Sequence, residues 1–118
     1  MQVLVPYWIN REDFARGRIG QRAPGRLSWC FGLLGITRTQ QLAALTVGDT
    51  IRQHSAETAL TACLVDDTQL NLINDLGLCH GWVELYRTAT CAAAHMPPGS
   101  AAAPTVNTTG AGMSRCPP

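Results

Sequence analysis

The sequence predicts a mainly α fold: a small bundle of short helices, preceded by a basic irregular arm and followed by a disordered tail. Three observations carry this. Apolar residues recur at helical spacing between about residues 27 and 95, most clearly over 56–65. Cap-forming residues punctuate the same region. Outside it the chain turns to Arg and Gly on one side, and to Ala, Thr, Pro and Gly on the other.

Residues 1–26 form the arm. Val3, Leu4 and Val5 start a short strand that Pro6 confines to an edge or an end. Arg11, Arg16, Arg18, Arg22 and Arg26 then oppose Glu12 and Asp13, while Gly17, Gly20, Pro24 and Gly25 argue against regular structure.

Residues 27–95 form the helical domain. Thr37-Arg38-Thr39-Gln40 has the form of a capping box and predicts a short helix over roughly 38–45. Thr46 caps the next segment, with Gly48 and Asp49 near its start and Ile51 its chief apolar residue. Ser55 caps a stronger helix over 56–65, where Ala56, Ala59, Leu60, Cys63 and Leu64 make a single apolar face. Asp67 or Thr68 starts another, with Leu70 and Ile73 on one side and Gly77 as its stop after Leu76. After Gly81, Trp82, Leu85, Tyr86, Ala89 and Ala93 share a helical stripe; Val83 and Thr88 to Thr90 leave a strand as the alternative. Residues 96–118 hold little apolar bulk to offset ordering entropy, so they read as a disordered tail.

A chain of 118 residues allows one domain. Hydrophobic residues make up 46% and charged residues 14%, against about 25% charged in typical soluble domains. The net charge of +1 excludes recognition by bulk charge, although residues 1–59 carry +3 and residues 60–118 carry −2. All nine basic residues are Arg. Arg offers a planar fork to phosphate or carboxylate; a GC-rich coding sequence, even a frame without selected function, produces the same bias. The most apolar stretch, Leu27 to Ile36, is shorter than the roughly 20 residues of a membrane span, and the first residues lack the order of a secretory signal. A cytoplasmic chain with no membrane partner is expected. Five dispersed cysteines read as mostly reduced, with Cys63 buried as a small hydrophobe.

Four constellations carry chemical interest. The five arginines of the arm, flanked by Trp8, Phe14 and Trp29, suit phosphate contact and base stacking on RNA or single strands. Cys79, Cys91 and His95, with His80 or Cys63 as a fourth, contain zinc-ligand types, and Cys91 and His95 share a helical face. No close Cys pair accompanies them, so neither metal nor cofactor is expected. Asp49, His54 and Ser55 are the residue types of a nucleophilic triad, yet adjacent residues on a helix point about 100° apart. They read as capping and solvated residues, as does Asp66-Asp67. Ala44 and Gly48 are spaced as in a helix-turn-helix, but His54 and Glu57 occupy positions that would need to be apolar, which favours a plain interaction hairpin. No phosphate-binding loop, dinucleotide motif or zinc-hydrolase motif occurs.

Between Phe31 and Ile73, the segments Leu34-Gly35-Ile36, Leu45-Thr46, Asp66-Asp67 and Leu70 to Ile73 resemble, in order, the D subunit of the flagellar master transcription activator. That resemblance implies a helical, oligomeric partner subunit. The expected function is a small non-enzymatic interaction or regulatory protein that acts on a protein partner or a second copy through a helical surface. The alternative is a nucleic-acid-associated accessory protein using the Arg arm.

Overall fold

The computed structural model describes residues 8–20, 25–30 and 32–98. All regular structure among them is helical: α1 (Arg11–Ala15), α2 (Leu33–Val47), α3 (Thr50–Leu64), α4 (Asp67–Leu70) and α5 (Trp82–Ala93). The mainly α expectation holds. The strand expected at Val3 to Val5 and the tail from Gly99 lie outside the described residues.

The arm contains a short helix where none is expected. The Asn10 side chain accepts from Asp13 N at 2.7 Å and caps α1, while Asp13 Oδ2 accepts from Asn10 Nδ2 and from Gly20 N. Local capping has overridden the weak propensity of this Arg- and Gly-rich stretch.

α2 starts four residues before the expected capping box. Thr37 lies inside it, its hydroxyl within 2.9 Å of Leu33 O and 3.0 Å of Leu34 O, so the box never forms. A threonine hydroxyl satisfied by the preceding turn sits comfortably in a helix interior. Gly48, left-handed at φ 72°, ends α2. Asp49 then caps α3 by accepting from Arg52 N at 2.9 Å. The two segments expected over 46–65 are therefore one helix, with Ser55 inside it. Its core face is the expected one: Ala56, Leu60 and Cys63 are buried.

α4 is capped by Asp66, which accepts from Thr68 N at 3.0 Å, but it ends at Leu70 rather than Leu76. Asn71, Asn74 and Asp75 follow, residue types whose side chains compete for backbone groups. α5 is a helix, as preferred. Its buried side carries Glu84, Leu85, Thr88 and Ala92, while Trp82 and Tyr86 are exposed, so the expected stripe is turned by about one residue.

α2 and α3 pair as a hairpin, and α5 packs against both. The core gathers Leu27, Leu33, Leu34, Leu60, Cys63, Ile73, Leu85 and Ala92. Beside it runs a buried polar chain. The fully buried Gln41 accepts from Arg38 Nη1 at 2.6 Å and donates to Glu57 Oε1 at 2.8 Å and to Ala92 O at 3.1 Å. Gln53 Nε2 adds a second donor to Glu57 at 2.9 Å. Burial pulls the Arg38 guanidinium below its usual range. Glu57, out of place in a helix-turn-helix, thus has a structural use here.

Replacing Gln41 by Ala takes the acceptor from buried Arg38 Nη1, leaves Glu57 with the Gln53 donor alone, and leaves the Ala92 carbonyl with its bond from His95 N alone. The Gln41→Ala variant is expected to lose about 1–3 kcal/mol of unfolding free energy in urea denaturation. Gln40→Ala, on the exposed face of the same helix, is expected to stay within about 0.5 kcal/mol of the parent.

Candidate functional site

Two loops meet in front of the bundle. The first, with residues 27–30 and Gly32, leads into α2 and is anchored by the buried Leu27 and Ser28. Ser28 O accepts from Gly32 N at 3.1 Å and from Gly35 N at 3.2 Å, folding the loop onto the start of α2. A Cβ on Gly35 would collide with the Trp29 carbonyl, so only glycine lets the helix approach this closely. The second loop, residues 75–82, leads into α5. Trp82 N donates to Asp75 O at 3.0 Å and Gly81 N to Gly77 O at 3.1 Å.

Trp29 N donates to Cys79 O at 3.0 Å and stitches the loops together. Beside that bond, Cys30 and Cys79 form a disulfide, with Cα atoms 6.4 Å apart. This corrects the expectation of reduced, dispersed cysteines: a sequence separation of 49 residues hid the pair. Cys30 lies exposed and Cys79 half-buried, so the bond is open to solvent reagents.

Polar side chains cluster in the loop that carries Cys79 and at the start of α5. Asp75 Oδ1 accepts from Gly77 N at 2.6 Å, and Asp75 Oδ2 lies 3.3 Å from His80 Nδ1. The Gly77 N–H, with help from the nearby His80 and Arg26 charges, holds the Asp75 carboxyl below the usual carboxylate range. In the first turn of α5, Glu84 Oε1 accepts from Thr88 Oγ1 at 2.9 Å. Burial pushes the Glu84 carboxyl above its ordinary range, opposed by the Thr88 bond and by His80.

Among the described residues, the buried side-chain atoms with no hydrogen-bond partner are Arg26 Nε, His80 Nδ1 and Glu84 Oε2. The His80 nitrogen is close to Asp75 but off the line of a hydrogen bond. All three belong to this one locality, since Arg26 acts on Asp75 and His80 acts on both carboxylates. Buried polar groups are nearly always paired, and exceptions gather where a protein receives something else.

The expected site residues scatter. Cys79 belongs to the loop pair, but Cys91 and His95 do not join it: His95 Nδ1 lies 2.8 Å from Cys91 O at the end of α5 and 3.4 Å from Arg38 Nη2. With the disulfide closed, no group of three or more His, Cys, Asp or Glu among the described residues is arranged to hold a metal ion. Cys63 is a free thiol in the core, pushed up to about 12 by burial. Asp49 is a cap paired with Arg52, and His54 and Ser55 lie exposed on α3, so no triad assembles. Arg11, Arg16 and Arg18 are exposed, with Arg16 on Glu12 at 3.6 Å. Arg26 leaves the arm for the loop pair, and Arg22 lies outside the described residues. Cys30, Asp75 and Glu84 are residues of this locality that are not among the expected site residues. The Asp75-x-Gly77 spacing of a side-chain-capped turn was the available signal for Asp75.

Fold and site together define a helical chain whose two entry loops bring a cysteine pair, a histidine and two carboxylates to one place. The model of the lanthionine synthetase C-like protein family matches residues 6–86, more than half of the chain, and this chain belongs to that family. The match overturns the resemblance to the flagellar D subunit. The segments behind that resemblance include ordinary helix parts, the interior and end of α2 and the cap of α4. No curated protein and no solved structure matches the chain. The matched span includes Arg26, Cys30, Asp75, Cys79, His80 and Glu84, and stops before Cys91 and His95.

Two measurements check this electrostatic picture. After reduction, Cys30 and Cys79 are expected to alkylate readily with iodoacetamide at pH 8, while Cys63 stays protected until the chain unfolds, as peptide mapping will show. Glu84 binds its proton more tightly folded than unfolded, so its contribution to stability is present below its ordinary value of 4.5 and is lost as pH rises through the folded value. Thermal melts from pH 4 to 7 are expected to show that loss in the parent, and its absence in Glu84→Gln.

Proposed function

We propose that the reduced Cys30–Cys79 pair, with His80, is a thiol-handling centre that binds zinc, and that the chain serves thioether formation of the kind its family is named for. The cluster of unpartnered buried polar atoms at Arg26, His80 and Glu84, with His80 next in sequence to Cys79, carries this reading. The donor set fits the metal: two cysteine sulfurs already adjacent and an imidazole on the next residue make an S₂N set. Soft thiolates with imidazole select zinc, and three protein ligands leave a fourth position open for substrate.

Lanthionine is a thioether, and making its carbon–sulfur bond calls for a thiolate. A bound zinc ion would supply that by holding a substrate thiol deprotonated near neutral pH. The surrounding residues do the rest. Arg26, half-buried, offers a cation and a buried, unpartnered Nε–H for a substrate oxygen. Glu84, with its raised carboxyl, exchanges a proton nearer neutrality than an ordinary glutamate. The Trp29–Cys79 main-chain bond keeps the two loops in register when the disulfide opens.

The test is a zinc titration of the reduced chain against a chromogenic chelator. One zinc per chain is expected after reduction, and none while the disulfide is closed. Cys30→Ser and Cys79→Ser are expected to abolish binding, whereas Cys91→Ser and His95→Ala leave it intact. Absence of stoichiometric zinc in the reduced parent, or its survival in Cys30→Ser, would sink the proposal.

The outer face of α3 supports a second reading, the non-enzymatic helical interaction surface. Ile51 and Val65 are 84% and 74% exposed there, beside a groove of about 740 Å³ lined by Leu33, Ser55, Ala59 and Ala62. Apolar side chains gathered at one exposed face are a common sign of a covered surface.

A further inference from the structure

We infer that Asp75 is the positioning residue for His80: it holds the ring proton on Nδ1 and so leaves Nε2 as the nitrogen offered to the metal. This rests on the zinc reading above. The geometry behind it is specific. Asp75 is gripped at both ends, with its backbone carbonyl accepting from Trp82 N at 3.0 Å and its Oδ1 accepting from Gly77 N at 2.6 Å. The remaining oxygen, Oδ2, faces His80 Nδ1 at 3.3 Å.

The loop is built to admit that carboxylate. A Cβ on Gly81 would collide with Asp75 Oδ1 and with Gly77 N, so glycine at 81 is what lets Asp75 reach its place beside the ring. Gly81 is itself buried and is the N-cap of α5. The start of α5, the Asp75 turn and the His80 ring are therefore set by one small piece of chain.

Physical chemistry supplies the consequence. A neutral imidazole carries one proton and one lone pair, and a negative oxygen beside Nδ1 draws the proton there. Metal-bound histidines commonly have such a carboxylate behind the ring, and its removal typically costs 10–100-fold in metal affinity. In the structure the contact is close but not aligned, so the ring is steered and still has freedom to settle onto a ligand.

Asp75→Asn is the informative variant. It keeps an oxygen for Gly77 N and thus the turn, but places no anion against Nδ1. The readouts are zinc affinity of the reduced chain by chelator competition, and the His80 tautomer in the metal-free reduced chain by two-bond ¹H–¹⁵N spectra. The parent is expected to show the Nδ1–H form, and Asp75→Asn to shift toward Nε2–H with zinc affinity falling roughly 10–100-fold. Asp75→Ser, which retains a short acceptor for the turn, is expected to do the same and serves if Asp75→Asn folds poorly. An unchanged tautomer with zinc affinity within twofold of the parent overturns the role of Asp75 and leaves the zinc site standing. A parent chain that shows the Nδ1–H form but takes no zinc overturns the zinc reading, and with it the ligand role of Nε2.

Discussion

Everything in front of the bundle depends on one main-chain hydrogen bond, from Trp29 N to Cys79 O. It joins two loops that are remote in sequence and lead into different helices. Once they are joined, Cys30 meets Cys79, and Arg26 comes within electrostatic range of Asp75. The disulfide reinforces the junction by shortening the unfolded chain; for a separation of 49 residues the chain-entropy effect is about 4 kcal/mol. The site thus sits where the chain crosses back on itself, and the helices behind serve as its platform.

The platform uses two kinds of bonding. Apolar packing of Leu34, Leu60 and Leu85 holds α2, α3 and α5 together without demanding a unique arrangement. Arg38, Gln41 and Glu57 supply the demand, because their hydrogen bonds are satisfied in one alignment of the three helices. The loop pair shows the opposite condition, with buried polar atoms left open. That contrast between a closed network behind and an open one in front separates scaffold from site.

What was legible in the sequence follows from this division. The face of α3 was readable because Ala56, Leu60 and Cys63 follow helical spacing and bury as that spacing requires. The boundaries were less readable: Thr37 and Ser55 look like caps, yet both sit inside helices because Gly32 and Asp49 hold the actual cap positions. Of the site, Cys79 and His80 were noticed beside a pairing, with Cys91 and His95, that the fold does not make. The true partner, Cys30, could not be found by local spacing, since its adjacency to Cys79 is a product of the fold. Glu84 is an acid in a first helical turn, a common place for one, and its burial is what sets it apart.

Gln41 has one last consequence. Its single amide group is shared by α2, α3 and the last turn of α5, so no pair of these helices is fully satisfied without the third. If α5 peels away, the loss is felt inside the α2–α3 hairpin as well. Partial opening is thereby penalised at its first step, and the three helices behave as one cooperative unit. The cysteine loops are tethered to the front ends of α2 and α5, so their alignment is held for as long as that unit stays closed.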